Sequence, residues 1–193
     1  LISVHDKRGV AEFARGLAGL GVSVISTGGT ARHLRAAGVC VTEVSDFTGV
    51  AETLGGRVKT LHPKLHAGIL ACRDSEAHRL EMERAGWKSI DLVAVNLPPA
   101  PPAEGIDLHA LLETVDIGGP ALLRAAAKNC RDVVVVCSPA RYGIVLEELV
   151  AGDGTVPDGL RVRLAREAFE ATACYDARVQ RLLYRHTSPA AHA

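Results

Sequence analysis

Residues 1–44, LISVHDKRGVAEFARGLAGLGVSVISTGGTARHLRAAGVCVTEV, decide the fold. Leu1-Ile2-Ser3-Val4 is short and β-prone, and Asp6 stands where it can cap a following helix. Val10, Phe13, Leu17 and Leu20 fall on one face of that helix, and Gly21 ends it. Val22 to Ser26 reads as a second, buried strand. The loop Thr27-Gly28-Gly29-Thr30 then leads into a short helix closed near Gly38, and Val39 to Val44 reads as a third strand. Strand, helix and strand recurring at this spacing predict an α/β fold, a single parallel sheet flanked by helices on both faces.

Beyond residue 44 the pattern loosens. Residues Ser45 to Ala71 are irregular and dense in polar side chains, the kind of loop on a rigid scaffold that carries function. A helix from Ser75 to Ala85 stops at Gly86. Ile90 to Asn96 is a strand, and Pro98-Pro99-Ala100-Pro101-Pro102 forbids its continuation. A helix follows around Asp107 to Thr114, then a turn at Gly118-Gly119-Pro120, a helix to about Lys128 and a strand from Val133 to Cys137. The last helix, about Gly159 to Tyr184, carries Leu160, Leu164, Ala168, Thr172, Tyr175, Val179 and Leu183 on one stripe. No linker or repeat divides the chain, so residues 1–193 read as one domain.

Composition narrows the function. Twenty-two basic residues balance twenty-two acidic ones, so the chain lacks the basic field that nucleic-acid binding uses. No apolar run approaches the roughly 20 residues that span a bilayer, and no signal peptide is visible. Cys40, Cys72, Cys130, Cys137 and Cys174 are odd in number and form no CxxC pair, which fits reduced thiols in a cytoplasmic chain. An anionic ligand must therefore be caught by a local site.

Three segments are candidates for one. Thr27-Gly28-Gly29-Thr30 joins a strand to a helix, where glycines allow close approach and free amides attract an anion; an ordinary tight turn is the plainer reading. Lys7 sits at another such junction, either adding charge to the same anion or solvated. Arg57-Val58-Lys59-Thr60-Leu61-His62-Pro63 gathers two cations in a short stretch that, alone, reads as a solvated face. His62 and His66 are spaced like metal ligands, but Pro63 and the lack of a third ligand argue against zinc. Asp116-Ile117-Gly118-Gly119 and Lys128-Asn129 bring a carboxylate and an amine to one helix, where each also serves as a cap or dipole partner.

Taken together, the segments SVHDKRG, STGGTARHL, VSDFTG, GRVKTLHPKLHAGILA, DLVAVNL, VDIGGPALLRAAAKN and AFEATACYD cover nearly the whole chain in order. Their sequence resembles the N-terminal cyclohydrolase half of the bifunctional 5-aminoimidazole-4-carboxamide ribotide (AICAR) transformylase/inosine monophosphate (IMP) cyclohydrolase family. The resemblance implies a methylglyoxal-synthase-like fold and closure of 5-formamidoimidazole-4-carboxamide ribotide (FAICAR) to IMP, without cofactor or metal. It implies a ribotide phosphate at Thr27, Gly28, Gly29 and Thr30, with His5, Asp6 and Lys7 nearby. Arg57, Val58, Thr60, Val95, Asn96, Ile117, Gly118 and Gly119 would bind the ring end, and Lys59, Asp116 and Lys128 would be catalytic. The transformylase half is not among these residues, so a separate formyltransferase activity is expected, and a homodimer is admitted as the assembly.

Three positions depart from the family pattern: His5 replaces a serine, Pro98 replaces a tyrosine, and Cys130 replaces a histidine. The first two motivate an alternative, a specialised paralogue closing a modified purine-like ring. A noncatalytic nucleotide-sensing domain would share the phosphate loop but has no need of RVKTLHP together with DIGG.

Overall fold

The computed structural model of the chain describes residues 1–99 and 107–187. Five strands, β1 (Ile2–Val4), β2 (Val24–Ser26), β3 (Val41–Glu43), β4 (Leu92–Asn96) and β5 (Val134–Val136), form a parallel sheet in the order β3-β2-β1-β4-β5. β4 and β5 are buried along their whole length, as Val- and Leu-rich strands of a sheet covered on both faces must be.

Helices α1 (Val10–Gly19) and α2 (Gly28–Ala36) carry the chain from β1 to β2 to β3. Next come α3 (Val44–Thr48), α4 (Pro63–Leu70) and α5 (Glu76–Arg84). α6 (Leu108–Glu113) and α7 (Gly118–Lys128) link β4 to β5, and α8 (Tyr142–Ala151) and α9 (Asp158–Thr187) follow β5. Right-handed crossovers in opposite directions from β1 put α1 and α2 on one face and α7 on the other. α8 packs on α1, where Phe13 stacks on Tyr142 with ring centroids 4.3 Å apart. α4 and α9 pack on α7.

The single parallel sheet is as the sequence predicts, and several details differ. Asp6 does not cap α1: Gly9, at φ 67°, precedes the helix, while the Asp6 carboxylate accepts from the backbone and guanidinium of Arg8. Val44 opens α3 rather than closing β3, and the stretch read as irregular contains α4. Gly118 and Gly119 are themselves the first residues of α7, not a turn before it. Residues 138–157, for which the sequence predicts no element, hold all of α8, whose Tyr142, Val145 and Leu149 are buried. Of the proline-rich run after β4, Pro98 and Pro99 are described and residues 100–102 lie outside the described residues.

Candidate active site

A cleft of about 950 Å³ opens at the carboxyl ends of β1 and β4, between residues 54–61, the start of α7 and the end of α9. Parallel α/β sheets hold ligands at this edge, where successive crossovers diverge. Here the divergence lies between β1 and β4, and Asn96 closes it. Its Oδ1 accepts from the backbone of His5 at 2.7 Å and of Asp6 at 2.8 Å, and its Nδ2 donates to the Asp6 carbonyl at 2.9 Å. The buried Thr30 hydroxyl likewise exchanges hydrogen bonds with Val4, donating to its carbonyl at 3.0 Å and accepting from its N–H at 3.2 Å. Ser3 and Thr27 hydroxyls pair at 3.2 Å beside them.

The opposite wall is a hairpin. Thr53 and Val58 form an isolated antiparallel bridge, and Leu54, Gly55 and Gly56 between them all take positive φ, at 52°, 64° and 91°. Glycine tolerates this conformation; Leu54 bears strain there. The hairpin presents two cations, and each rests on a carboxylate. Lys59 Nζ lies 3.2 Å from Glu52, and Arg57 makes a two-pronged pair with Glu113 of α6.

The third wall shows why two glycines open α7. A Cβ on Gly118 would lie 2.3 Å from the Thr60 hydroxyl, and one on Gly119 would lie 2.4 Å from Asp116 Oδ2. Asp116 Oδ1 accepts from the Gly119 N–H at 3.0 Å, so this carboxylate does cap the helix, where the dipole favours its charge. The Asp116 N–H in turn donates to the Tyr175 hydroxyl of α9 at 2.7 Å. Burial pushes the Tyr175 phenol above its ordinary pKa.

Of the residues expected from sequence, His5, Thr27, Arg57, Val58, Lys59, Thr60, Asn96, Asp116, Ile117, Gly118 and Gly119 line this cleft. Gly28 lines a smaller hollow of about 290 Å³, which shares Thr27 and Lys59 with the main cleft. The others stand outside both. Val95 is buried within β4, and Gly29 and Thr30 lie in the first turn of α2. Lys7 folds back to the carbonyls of Val4 and His5 at 3.3 Å. The Asp6 carboxyl is held at a pKa of about 2 by hydrogen bonds from Arg8 rather than by any group in the cleft.

Lys128 also lines neither hollow. It is exposed at the last position of α7, whose first residue touches the cleft. At 1.5 Å per residue the helix carries it about 15 Å away, to the opposite edge of the sheet. The His62 ring caps α4 by accepting from the Lys64 N–H at 3.1 Å, and the His66 ring faces the His62 carbonyl. No group of three metal-ligating side chains converges among the described residues. Sequence reasoning missed Glu52, Glu113 and Tyr175. Only Tyr175 had a signal, its place in the AFEATACYD stripe.

Residues 9–121, which span the sheet edge, the hairpin and the Asp116 loop, match the profile of the MGS-like domain. The chain belongs to that family. Residues 126–192 match a second profile, the AICARFT/IMPCHase bienzyme. The chain is 52% identical over 186 residues to the bifunctional purine biosynthesis protein PurH of Magnetococcus marinus, covering 95% of this chain and 35% of that protein. It therefore spans about a third of the length of this relative. A solved structure titled "Crystal structure of ForH" superposes with a TM-score of 0.88 at 43% identity, covering 94% of each chain. Within the family frame, two of the three departures, His5 and Pro98, line the cleft, whereas Cys130 packs against the core. No helix of the described residues is long and apolar enough to cross a membrane.

Proposed function

We propose that this single domain is an IMP cyclohydrolase, closing FAICAR to IMP with loss of water. The observation that carries it is the meeting of Lys59, Asp116 and the Gly118-Gly119 start of α7 in one cleft, on a chain 52% identical to PurH. The carboxamide nitrogen attacks the formyl carbon of the same molecule, so the protein must fix a near-attack geometry and move protons. Asp116 takes a proton from the carboxamide, and Lys59 stabilises the charge that develops on the formyl oxygen. That oxygen then leaves as water, carrying one proton from the carboxamide and one from the formamide nitrogen. No electrons are exchanged, so the chemistry calls for no cofactor. The ribotide phosphate belongs beside Thr27 and Gly28, where the Gly28 and Gly29 amides open α2 ahead of the first helical hydrogen bonds. Lys128 takes no step here, since α7 carries it away from the cleft.

The test is an ultraviolet assay of purine-ring formation from FAICAR. Turnover is expected from the wild type and a loss of about 10²–10³-fold from Lys59→Met. A wild-type chain that forms no purine ring removes this reading.

The cleft also favours one alternative, a paralogue acting on a modified ring, because both His5 and Pro98 line it. Proline offers neither the phenol of the family's tyrosine nor a backbone N–H. Under the IMP reading Pro98→Tyr raises turnover; under the alternative it crowds the pocket and lowers activity on the true substrate.

A further inference from the structure

We propose that α9 is part of the catalytic apparatus and that Tyr175 is the positioning residue holding Asp116 in place. This rests on the cyclohydrolase reading above. Asp116 is gripped twice, at its carboxylate by the Gly119 N–H at 3.0 Å and at its own N–H by the Tyr175 hydroxyl at 2.7 Å. The first contact is local. The second reaches across 59 residues and is the one that fixes the loop relative to the rest of the fold.

Tyr175 is only 6% exposed, and its neighbours at i+4 and i+8, Val179 and Leu183, line the cleft. One face of α9 thus supplies both the grip on Asp116 and an apolar wall for the bound ring. Burial raises the phenol's pKa, and its oxygen can accept from the amide in either protonation state. The MGS-like match ends at residue 121, whereas α9 lies within the bienzyme match at 126–192. In this inference the helix is what that second segment adds to the catalytic loop of the first.

A packing anchor and a positioning residue separate in a double-mutant cycle. Tyr175→Phe is expected to lower kcat by about 10- to 100-fold, the span of a lost buried hydrogen bond, with KM for FAICAR within about 3-fold. In an Asp116→Asn background the same change is expected to add less than about 2-fold. Amide exchange supplies a readout independent of turnover. The Asp116 N–H is expected to exchange at least about 10-fold faster in Tyr175→Phe, with Leu122 and Leu123 unchanged. Wild-type kcat in Tyr175→Phe, or losses that multiply with Asp116→Asn, overturn the proposal. If the wild type closes no ring, the cyclohydrolase reading falls; unaltered Asp116 exchange would then overturn the pinning as well.

Discussion

Two facing walls of the cleft are made of different contacts. On the sheet side, Asn96 makes three side-chain bonds to the β1–α1 loop at 2.7, 2.8 and 2.9 Å, and Thr30 makes two to Val4, with both side chains buried. On the hairpin side, Arg57 and Lys59 have side chains 65% and 40% exposed and rest on Glu113 and Glu52. Such exposed pairs are worth about 0–1 kcal/mol each. One wall is therefore built before a ligand arrives. The other holds its cations on carboxylates that a ligand anion can replace.

The largest effect is expected where the fixed wall is broken. Asn96→Leu keeps the volume but removes three part-buried side-chain hydrogen bonds, leaving the Asp6 N–H and carbonyl without them while the His5 N–H keeps the Asn96 carbonyl at 3.4 Å. Each group left unpaired costs about 1–3 kcal/mol. In a domain of this size, a fall in Tm of about 10 °C is expected in thermal melts. An unchanged Tm would mean that the loop is not held this way.

Next comes Gly118→Ala, which sets a methyl 2.3 Å from the Thr60 hydroxyl. Overpacking of this kind costs about 1–3 kcal/mol. Adding Thr60→Ala is expected to restore the denaturation midpoint, and no recovery would move the clash elsewhere. The exposed wall predicts a smaller change. Glu113→Gln is expected to leave stability within about 0.5 kcal/mol. Freed from its counter-ion, Arg57 should bind IMP about 2- to 5-fold tighter by calorimetry. Weaker binding would make Glu113 a support for Arg57 rather than its competitor. The smallest effect is expected at Lys128→Met, with turnover within about 2-fold of wild type, since its ammonium lies outside the range of the chemistry. A fall of about 10²-fold would return Lys128 to the chemistry.

The sheet and its long C-terminal helix were legible because burial writes a period into the sequence. The spacing of Val10, Phe13 and Leu17 gave α1, and the stripe from Leu160 gave α9. The same spacing recurs in Tyr142, Val145 and Leu149 of α8, in a run too short to stand out from the loops around it. The hairpin at 53–58 had no such signal, because an isolated bridge with Leu54 in a left-handed conformation follows no repeat. Glu113 could not be found either, since its partner Arg57 is 56 residues away and nothing in the chain marks the pair. Lys128 fell inside a matching segment with Asp116, and only the length of the intervening helix separates the two.

α9 runs unbroken from Asp158 to Thr187, seated in the core at Leu164 and Ala168 before Tyr175 reaches Asp116. Along it a changed letter alters one contact, whereas a lost or gained letter alters every contact beyond it. Deleting one residue between Ala168 and Tyr175 would swing the rest of the helix by about 100° and draw it in by about 1.5 Å. The phenol would then point away from its amide, and Val179 and Leu183 would leave the cleft together. Genes descended from a common ancestor of this domain can therefore differ widely in spelling here, but their reading length from Leu164 to Leu183 should be the same.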